Sequence, residues 1–363
     1  MLGPETRSTL PLFERFPRLA DSVSWHAIGD WPTPVTQLPN FARAHGLTHV
    51  HAKREDLNHP TCGGSKLRGL EFLLARARQR KAKTIITFGA VGSHHVRTTA
   101  WHAGKLGIDT VALVMSQPGA DYVRHNLLAG IEAGTRFVPV NVASVGPRFI
   151  AQWLRAVSNA HSRPFFIPPG GTSPLACLGH VSAALELKRQ TESGILPEPR
   201  YIFLPLGSLG TAAGLLVGCK LAGLQSRLVG VTAFSRWYCT PGRWIALARR
   251  TLRLMQKLDP TVPSLKLDRS DVTVVTSALG KGYGHATEES TELARQIRAA
   301  DNLELDRTYT AKTLAGALHY LKRNKESDAE SLLWHTYRPA ESSTSSADPI
   351  AELPPALRAY FKV

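Results

Sequence analysis

Short apolar runs alternate with longer amphipathic stretches from about His51 onward. This alternation is typical of an α/β fold, in which crossover helices join the strands of a parallel sheet. The pattern predicts strands over 84–88, 110–115, 136–140, 201–206 and 227–232. It predicts helices over 94–106, 121–133, 210–222, 288–300 and 311–323, with Thr310 as the N-cap of the last one. The two groups of elements predict two lobes, each built on an open parallel sheet.

The length of the chain, 363 residues, suits two lobes better than one small domain or three. Residues 340–349 are polar and low in complexity, which predicts a flexible loop before a short C-terminal helix. No apolar run approaches the roughly 18 residues of a membrane-spanning helix. The first residues also lack a basic segment followed by an apolar one. We therefore expect a cytoplasmic protein without a membrane segment.

The chain is basic, with 44 Lys and Arg against 28 Asp and Glu and a formal charge of +16. Such a charge raises the question of a nucleic-acid partner. The basic residues are spread over several helix-like segments, however, and no helix-turn-helix or aromatic RNA-binding motif is present. A solvated basic surface is the favoured interpretation, and nucleic acid is an unlikely partner.

The four cysteines are far apart and form no C-x-x-C pair, and no histidine stands at zinc-finger spacing from them. We expect reduced thiols and no metal site. These cysteines are Cys62, Cys177, Cys219 and Cys239.

Lys66 follows two glycines and stands at the start of an apolar, helix-periodic run. A positive charge near a helix N-terminus is electrostatically unfavourable, which invites a special reason for this lysine. A lysine whose pKa is lowered by burial could form a Schiff base with an aldehyde. Taken alone, this motif favours an ordinary helix lysine over that alternative.

Two further junctions between a strand and a helix are candidates for anion binding. The stretch 206–214 offers glycines, hydroxyls and a helix N-terminus that suit a phosphate, although close-packed turns also have this composition. It lacks the lysine of the ATP-binding loop and the acidic residue of the dinucleotide fingerprint. At 88–97, Ser93 can cap a helix, and the same helix start could receive a substrate carboxylate.

Taken in order, these motifs resemble the pyridoxal-phosphate enzymes of the tryptophan-synthase-β fold (fold type II). The resemblance is specifically to the family of 1-aminocyclopropane-1-carboxylate (ACC) deaminase and D-cysteine desulfhydrase. It covers most of the chain. The segments that carry it are 31–35, 52–57, 63–66, 167–174, 207–211, 282–284, 309–316 and 334–336.

The resemblance implies roles for particular residues. Lys66 is the Schiff-base lysine, Thr336 faces the pyridine nitrogen, and Tyr283 assists proton transfer or the leaving group. Ser93, with its neighbours His94 and His95, receives the substrate carboxylate. The phosphate of the cofactor is held by Gly207, Ser208, Leu209, Gly210 and Thr211.

The resemblance further implies a lyase of amino-acid metabolism that needs pyridoxal 5'-phosphate and acts as a homodimer. It would act on a small amino acid, such as D-cysteine, by β-elimination and deamination, giving a 2-keto acid and ammonia. A racemase, a β-replacement enzyme and a relative that binds the cofactor without turnover are the alternatives. The large cofactor-binding domain would comprise 1–68 and 169–363, and the small domain 69–168.

Several residues depart from the family pattern inside the expected site. Ser65 replaces an asparagine, and Gly92 and His94 replace a glutamine and an asparagine, so His94 is a candidate partner for the phenolic oxygen of the cofactor. Ala278 stands where the family has a second tyrosine. A glycine pair after Thr336 is replaced by Tyr337 and Arg338. Arg338 either clamps an additional substrate carboxylate or points to solvent.

Overall fold

The structure, a computed structural model, describes residues 10–160, 163–339 and 349–361. It confirms the predicted α/β class, with two sheets flanked by helices. The strands are β1 Val35–Gln37, β2 Val50–Arg54, β3 Thr84–Ala90, β4 Asp109–Met115, β5 Thr135–Val140, β6 Phe165–Ile167, β7 Tyr201–Leu206, β8 Arg227–Thr232, β9 Val272–Val275 and β10 Ser331–His335.

The helices fall between the strands as the alternating pattern requires. They are α1 Pro11–Arg15, α2 Pro17–Ser22, α3 Pro39–Ala44, α4 Lys66–Gln79, α5 His94–Lys105, α6 Asp121–Glu132, α7 Val145–Ala160, α8 Pro174–Glu192, α9 Gly210–Ala222, α10 Pro241–Leu258, α11 Glu288–Asp301, α12 Thr310–Asn324 and α13 Pro355–Arg358.

The larger sheet has the strand order β1-β2-β10-β7-β8-β9. All of its neighbouring strands are parallel except β1, which runs antiparallel to β2. The last strand in the sequence, β10, therefore lies in the middle of the sheet. Because parallel strands end at the same edge, the loops that follow β2, β7, β8 and β10 meet at the carboxyl edge of this sheet.

The smaller sheet has the order β5-β4-β3-β6, and all of its strands are parallel. It lies within the range that the sequence assigns to the small domain. The C-terminal residues Leu353 and Leu357 also pack in an apolar cluster with Val91 and Val114 of this half of the molecule. The sequence-based division, which placed everything after residue 168 in the large domain, therefore differs from the packing at the C-terminus.

Close approach of helices fixes the position of α4, which begins at the candidate lysine. A Cβ on Gly179 of α8 would lie 1.9 Å from the carbonyl oxygen of Arg68 in α4, so only glycine fits there. On its other side α8 meets α9, where a Cβ on Gly214 would lie 2.5 Å from the carbonyl oxygen of Cys177. These contacts hold α4, α8 and α9 together behind the carboxyl edge of the larger sheet.

Most predicted elements are confirmed to within one or two residues, but the predicted N-cap of α12 is wrong. Thr310 is the first helical residue, and Tyr309 occupies the cap position. The carboxylate of Asp306 accepts hydrogen bonds from the backbone N–H groups of Thr308, Tyr309 and Thr310, and so it satisfies the donors of the helix start. The short C-terminal helix is present as α13. The predicted flexible loop over 340–349 lies, apart from its last residue, outside the described residues.

Within the described ranges, no helix is both long and apolar enough to cross a bilayer. The same ranges contain no group of three or more His, Cys, Asp or Glu side chains that could hold a metal ion. The four cysteines are free and buried, as expected for thiols that form no disulfide.

Candidate active site

Lys66 is the first residue of α4 and is half-buried where the two halves of the molecule meet. The turn before it passes through Gly64, whose φ is +109° and whose Cβ would lie 2.8 Å from His94 Nε2. The backbone N–H of Ser65 donates to the carbonyl oxygen of Thr336 over 2.9 Å. The turn that leads into Lys66 therefore contacts both the end of β10 and the start of α5.

The Lys66 ammonium has no hydrogen bond or ion pair with any described residue. Burial lowers its pKa to about 8. An amine with such a pKa exchanges protons readily near neutral pH and is partly present as a nucleophile. This environment favours the Schiff-base interpretation over that of an ordinary helix lysine.

The loop that follows β7 turns through Leu209, a non-glycine residue with φ of 71°, and α9 begins at Gly210. A second loop packs against it, because a Cβ on Gly170 would lie 2.2 Å from Ser208 Oγ. A Cβ on Gly210 would lie 3.2 Å from Thr172 Oγ1. Both loops border a small cavity that is also lined by Lys66 and His180.

Two polar atoms at this cavity are buried and have no hydrogen-bond partner in the described part of the chain. They are Thr172 Oγ1 and His180 Nδ1. Buried polar groups without a partner are rare in native proteins and need an explanation. A hydroxyl donor, the free N–H groups at the start of α9 and the positive end of the helix dipole suit a phosphate group. The residues present thus fit the phosphate of the implied cofactor.

Ser93 caps α5 as predicted, with its Oγ accepting from the backbone N–H of Val96 over 3.4 Å. The N-terminus of α5 and the end of β10 both approach the turn before Lys66, since a Cβ on Gly64 would lie 2.8 Å from His94 Nε2 and 2.9 Å from the carbonyl oxygen of Thr336. This position suits a substrate carboxylate, which remains a prediction for Ser93. Gly92, one of the departures from the family, donates its N–H to Gln117 and accepts from Asn126.

His94 is buried beside Lys66, but both ring nitrogens have protein partners. Nε2 lies 3.0 Å from the carbonyl oxygen of Gly63, and Nδ1 lies 3.4 Å from Nη2 of Arg97. These partners require a neutral ring with its proton on Nε2. Burial, with the charges of Arg97 and Lys66, lowers the pKa of His94 well below its ordinary value. His94 would have to exchange a partner before it could contact the phenolic oxygen of the cofactor.

His95 is buried and its ring contacts Thr87 of the smaller sheet. Its Nε2 lies 3.0 Å from Thr87 Oγ1, whose own proton goes to the carbonyl oxygen of Ile167, and its Nδ1 lies 3.3 Å from Thr99 Oγ1. Burial lowers the pKa of His95 to about 3, which keeps the ring neutral. No ring nitrogen is left for a substrate, and this geometry argues against the predicted substrate contact.

Tyr283 contacts Tyr309, and Tyr309 lies against Gly207–Thr211, the loop after β7 that is called the phosphate loop below. The two rings are T-shaped with centroids 5.9 Å apart, and the Tyr309 ring lies 3.2 Å from the position of a Cβ on Gly207. Burial raises the pKa of both phenols above the ordinary value, so both stay protonated. Tyr309 belongs to the motif 309–316, but the sequence pattern did not predict it as a site residue.

Two side chains hold these tyrosines in place. The ammonium of Lys312, fully buried in α12, donates to the carbonyl oxygens of Leu279 and Gly282 over 2.8 Å each and fixes the turn before Tyr283. Asp306 holds the backbone of Tyr309 through the cap of α12. Neither residue was predicted, because its partners become visible only in the folded chain.

Tyr337 and Arg338, which replace the family's glycine pair, contact other residues of the protein. The ring of Tyr337 is buried and lies 4.8 Å from that of His94. The guanidinium of Arg338 donates to the carbonyl oxygens of Asp56 and Pro60, in the loop after β2. These contacts contradict the alternative in which Arg338 simply points to solvent, and the contact with a substrate carboxylate stays a prediction.

Ala278 was predicted to stand where the family has an active-site tyrosine. It is buried in an apolar cluster with Val231, Leu293 and Ala311. A tyrosine at this position would have to displace core side chains. The alignment on Tyr283 therefore does not place Ala278 in the site.

A buried ionic cluster contacts α4 through Arg68, two residues after Lys66. Arg68 donates to Glu55 and Glu186, and Lys53 donates to Glu186, to the carbonyl oxygen of Thr33 and to Gln190. Burial alone would raise the pKa of Glu186, but the charges of Arg68 and Lys53 lower it to about 2.

Comparison with known proteins shows the family of this chain. The family pattern of pyridoxal-phosphate dependent enzymes matches residues 27–336. D-cysteine desulfhydrase of Klebsiella pneumoniae (strain 342) is 33% identical over 328 residues, which cover 89% of this chain and 94% of that protein.

Solved structures show the same likeness. The structure of an ACC deaminase homologue superposes with a TM-score of 0.74 at 27% identity, covering 90% of this chain and 94% of the other. A fungal L-serine ammonia-lyase from Rhizomucor miehei superposes with a TM-score of 0.56 at 16% identity, covering 86% and 94%, and shares the fold.

Proposed function

We propose that this chain, which belongs to the pyridoxal-phosphate-dependent enzymes and is a lyase of the β-elimination and deamination type, acts on D-cysteine or another small amino acid. With D-cysteine and water, the products would be pyruvate, hydrogen sulfide and ammonia. The single observation that carries this proposal is the unpaired Lys66 beside a cavity with an unsatisfied Thr172 hydroxyl.

Lys66, the loop Gly207–Thr211 and Thr336 would hold the cofactor. The N–H groups at the start of α9 and the hydroxyls of Thr172 and Thr211 suit its phosphate. When bound, pyridoxal phosphate supplies an aldehyde that joins to an amine and a conjugated ring that stabilises negative charge at the α-carbon of the substrate.

Lys66 moves the proton of the α-carbon. Its amine, with a pKa near 8, can accept this proton at neutral pH and release it later. Ser93 and the N-terminus of α5 orient the substrate carboxylate, because free N–H groups and the helix dipole favour a negative charge there. The neutral rings of His94 and His95 add no positive charge that would compete for the carboxylate.

Tyr283 supplies a proton to the departing group. Its raised pKa keeps the phenol protonated until a developing anion is close enough to take the proton. Tyr309 lies against both Tyr283 and the phosphate loop, so it would keep this phenol oriented toward the cofactor side of the cavity.

The test begins with the covalent link to the cofactor. After incubation with pyridoxal phosphate and reduction with borohydride, peptide mass spectrometry should find one pyridoxyl adduct, on Lys66. Lys66→Ala should show none while keeping the wild-type circular-dichroism spectrum. An adduct that remains in Lys66→Ala, or that forms mainly on another lysine, would contradict the assignment.

Turnover tests the reaction class. Pyruvate, sulfide and ammonia should appear in equal amounts from D-cysteine, and none should appear with Lys66→Ala. Chiral chromatography of the remaining amino acid distinguishes elimination from racemisation. Conversion of D-cysteine to L-cysteine without pyruvate would favour the racemase alternative and overturn the proposal.

We further propose a homodimer in the cytoplasm, with residues 1–68 and 169–339 forming a large domain and 69–168 a small one. The family resemblance supports the dimer and a large domain of 1–68 and 169–363, and the packing of Leu353 and Leu357 against Val91 and Val114 is the reason for ending that domain at 339. Light scattering after size exclusion should give twice the chain mass of 39.6 kDa, and cell fractionation should place the protein with cytoplasmic markers.

A further inference from the structure

The segment Phe234–Cys239, which follows β8, lies against the phosphate loop. β7 and β8 are parallel and end side by side, with Leu206 opposite Thr232. The backbone N–H of Ala233 donates to the carbonyl oxygen of Leu206 over 3.0 Å, and Cys239 Sγ donates to the same oxygen over 3.3 Å. The segment is thus fixed at both ends to the strand that leads into the cofactor site.

This segment carries an aromatic rim, which we define as Phe234, Trp237 and Tyr238. The Phe234 ring makes T-shaped contacts with Tyr283 at 5.8 Å and with Tyr238 at 5.7 Å. Phe234 is nevertheless 45% exposed and Trp237 is 75% exposed. Tyr283 is partly buried, and an exposed apolar surface that continues from a candidate catalytic phenol is typical of a ligand site.

Two arginines of the stretch 233–243 lie against the rim, while the carboxylate of Asp306 acts on Tyr283 from α12's N-terminal side. The guanidinium of Arg236 lies 5.0 Å from the Trp237 ring, and that of Arg243 lies 4.8 Å from the Tyr238 ring. The stretch 233–243 contains no acidic residue. Such a surface suits an apolar or aromatic group that becomes negatively charged as it departs, and it disfavours a cationic one.

We infer that the aromatic rim binds the leaving group of the substrate, and that S-substituted cysteines with an apolar or aromatic substituent are preferred over cysteine itself. This inference rests on the proposed function, because it places the leaving group at Tyr283. The Cβ–S bond breaks, its electron pair stays on sulfur, and Tyr283 protonates the thiolate. S-benzylcysteine and water would give phenylmethanethiol, pyruvate and ammonia.

The kinetic test compares the holoenzyme on cysteine and on S-benzylcysteine, each as separate D and L enantiomers. For the enantiomer that reacts, kcat/KM should be higher with the benzyl group. Phe234→Ala should lower the ratio of the two kcat/KM values by about tenfold, since an apolar contact of this size discriminates by that order. Phe234→Leu should restore part of the ratio.

Phe166→Ala is the matched control, because Phe166 is also a partly exposed phenylalanine, at 40%, but lies on β6 against Phe149. It should leave the ratio unchanged. A binding measurement independent of turnover uses 3-(benzylthio)propanoate, which lacks the amino group. Calorimetric titration of the holoenzyme should show about tenfold weaker binding in Phe234→Ala than in wild type.

The outcomes separate the two claims. Rapid elimination of cysteine with a lower kcat/KM for S-benzylcysteine, or equal binding of 3-(benzylthio)propanoate to wild type and Phe234→Ala, would overturn the inference and leave the proposed function standing. Absence of pyruvate from every cysteine derivative would overturn the proposed function and, with it, this inference.

Discussion

Two lysines, Lys53 and Lys66, differ in the partners that the protein provides for their positive charge. Lys53 is fully buried, and its ammonium donates to Glu186, Gln190 and the carbonyl oxygen of Thr33. Lys66 is half-buried and has no such partner among the described residues. The first lysine completes a structural cluster in which the protein supplies every partner. The second leaves a partner to be supplied from outside, together with the unsatisfied hydroxyl of Thr172.

The difference teaches how to separate structure from function among buried polar groups. A charge that is paired within the fold contributes to holding elements together, and removing one partner leaves the others uncompensated. A charge or hydroxyl without a partner costs stability in the free protein, and at a cavity beside Lys66 a ligand that satisfies it accounts for its retention.

The largest expected effect comes from removing the carboxylate that Lys53 and Arg68 share. Glu186→Gln should lower the free energy of unfolding by about 3–5 kcal/mol, because Lys53 and Arg68 would lose their shared carboxylate. Urea denaturation of the cofactor-free protein measures this loss. Glu192→Gln on the same helix is the control, since this side chain is 62% exposed and pairs with Lys188 only at 3.7 Å, and it should cost about 0–1 kcal/mol. Equal losses in the two variants would contradict the comparison.

A smaller effect should follow from removing the hydroxyl of Thr172, which lines the cavity beside Lys66. Thr172→Val keeps the shape of the side chain and removes a hydroxyl that has no hydrogen-bond partner among the described residues. The variant should unfold at nearly the wild-type urea concentration, yet bind pyridoxal phosphate about tenfold more weakly, the usual cost of one hydrogen bond to a charged group. Titration followed by absorbance measures the affinity. Unchanged affinity would mean that Thr172 does not face the phosphate.

A third effect is a difference in pH dependence. The pKa of Lys66 is lowered to about 8 in the folded state from 10.5, so the unfolded chain holds more protons between these values. The stability of the cofactor-free protein should therefore rise with pH from about 8 to 10.5, relative to Lys66→Ala. Urea unfolding of both proteins across this range measures the difference.

Glu186 should act in a different window. Its folded pKa is about 2 against 4.5, so its stabilising contribution is complete above pH 4.5 and is lost as the pH falls toward 2. A Lys66-dependent change confined to acidic pH would contradict the assignment of the two groups.

The sequence predicted much of the fold because the signals were local. Helix α9 and strands β7 and β8 were predicted to the residue, since each is an apolar run bounded by a glycine-rich turn or a charged residue. The order of the motifs predicted the family, the cofactor and the lyase class. The position of Lys66 at the start of a helix was visible from two glycines and an apolar period.

What the sequence missed depends on partners that are distant along the chain. Tyr309 and Thr172 both belong to recognised motifs, but a motif gives order and not the direction of each side chain. The guanidinium of Arg338 is taken by carbonyl groups about 280 positions earlier. His95 is satisfied by Thr87 and Thr99, and Ala278 by a core that only the fold assembles. Long-range hydrogen bonds of this kind have no local signature.

The central place of β10 in the larger sheet has a consequence for synthesis of the protein on the ribosome. β2 and β7 are made early, but both must wait for Ser331–His335 to emerge before they can be joined through it. Until then, the strand edges that flank the cofactor site stay unpaired, and such edges can associate with other chains. Thr336 follows directly, so Lys66 and the residues at the end of β10 come together only after residue 336 has been translated. A nascent chain released before that point would carry the lysine and the phosphate loop without the strand that unites them.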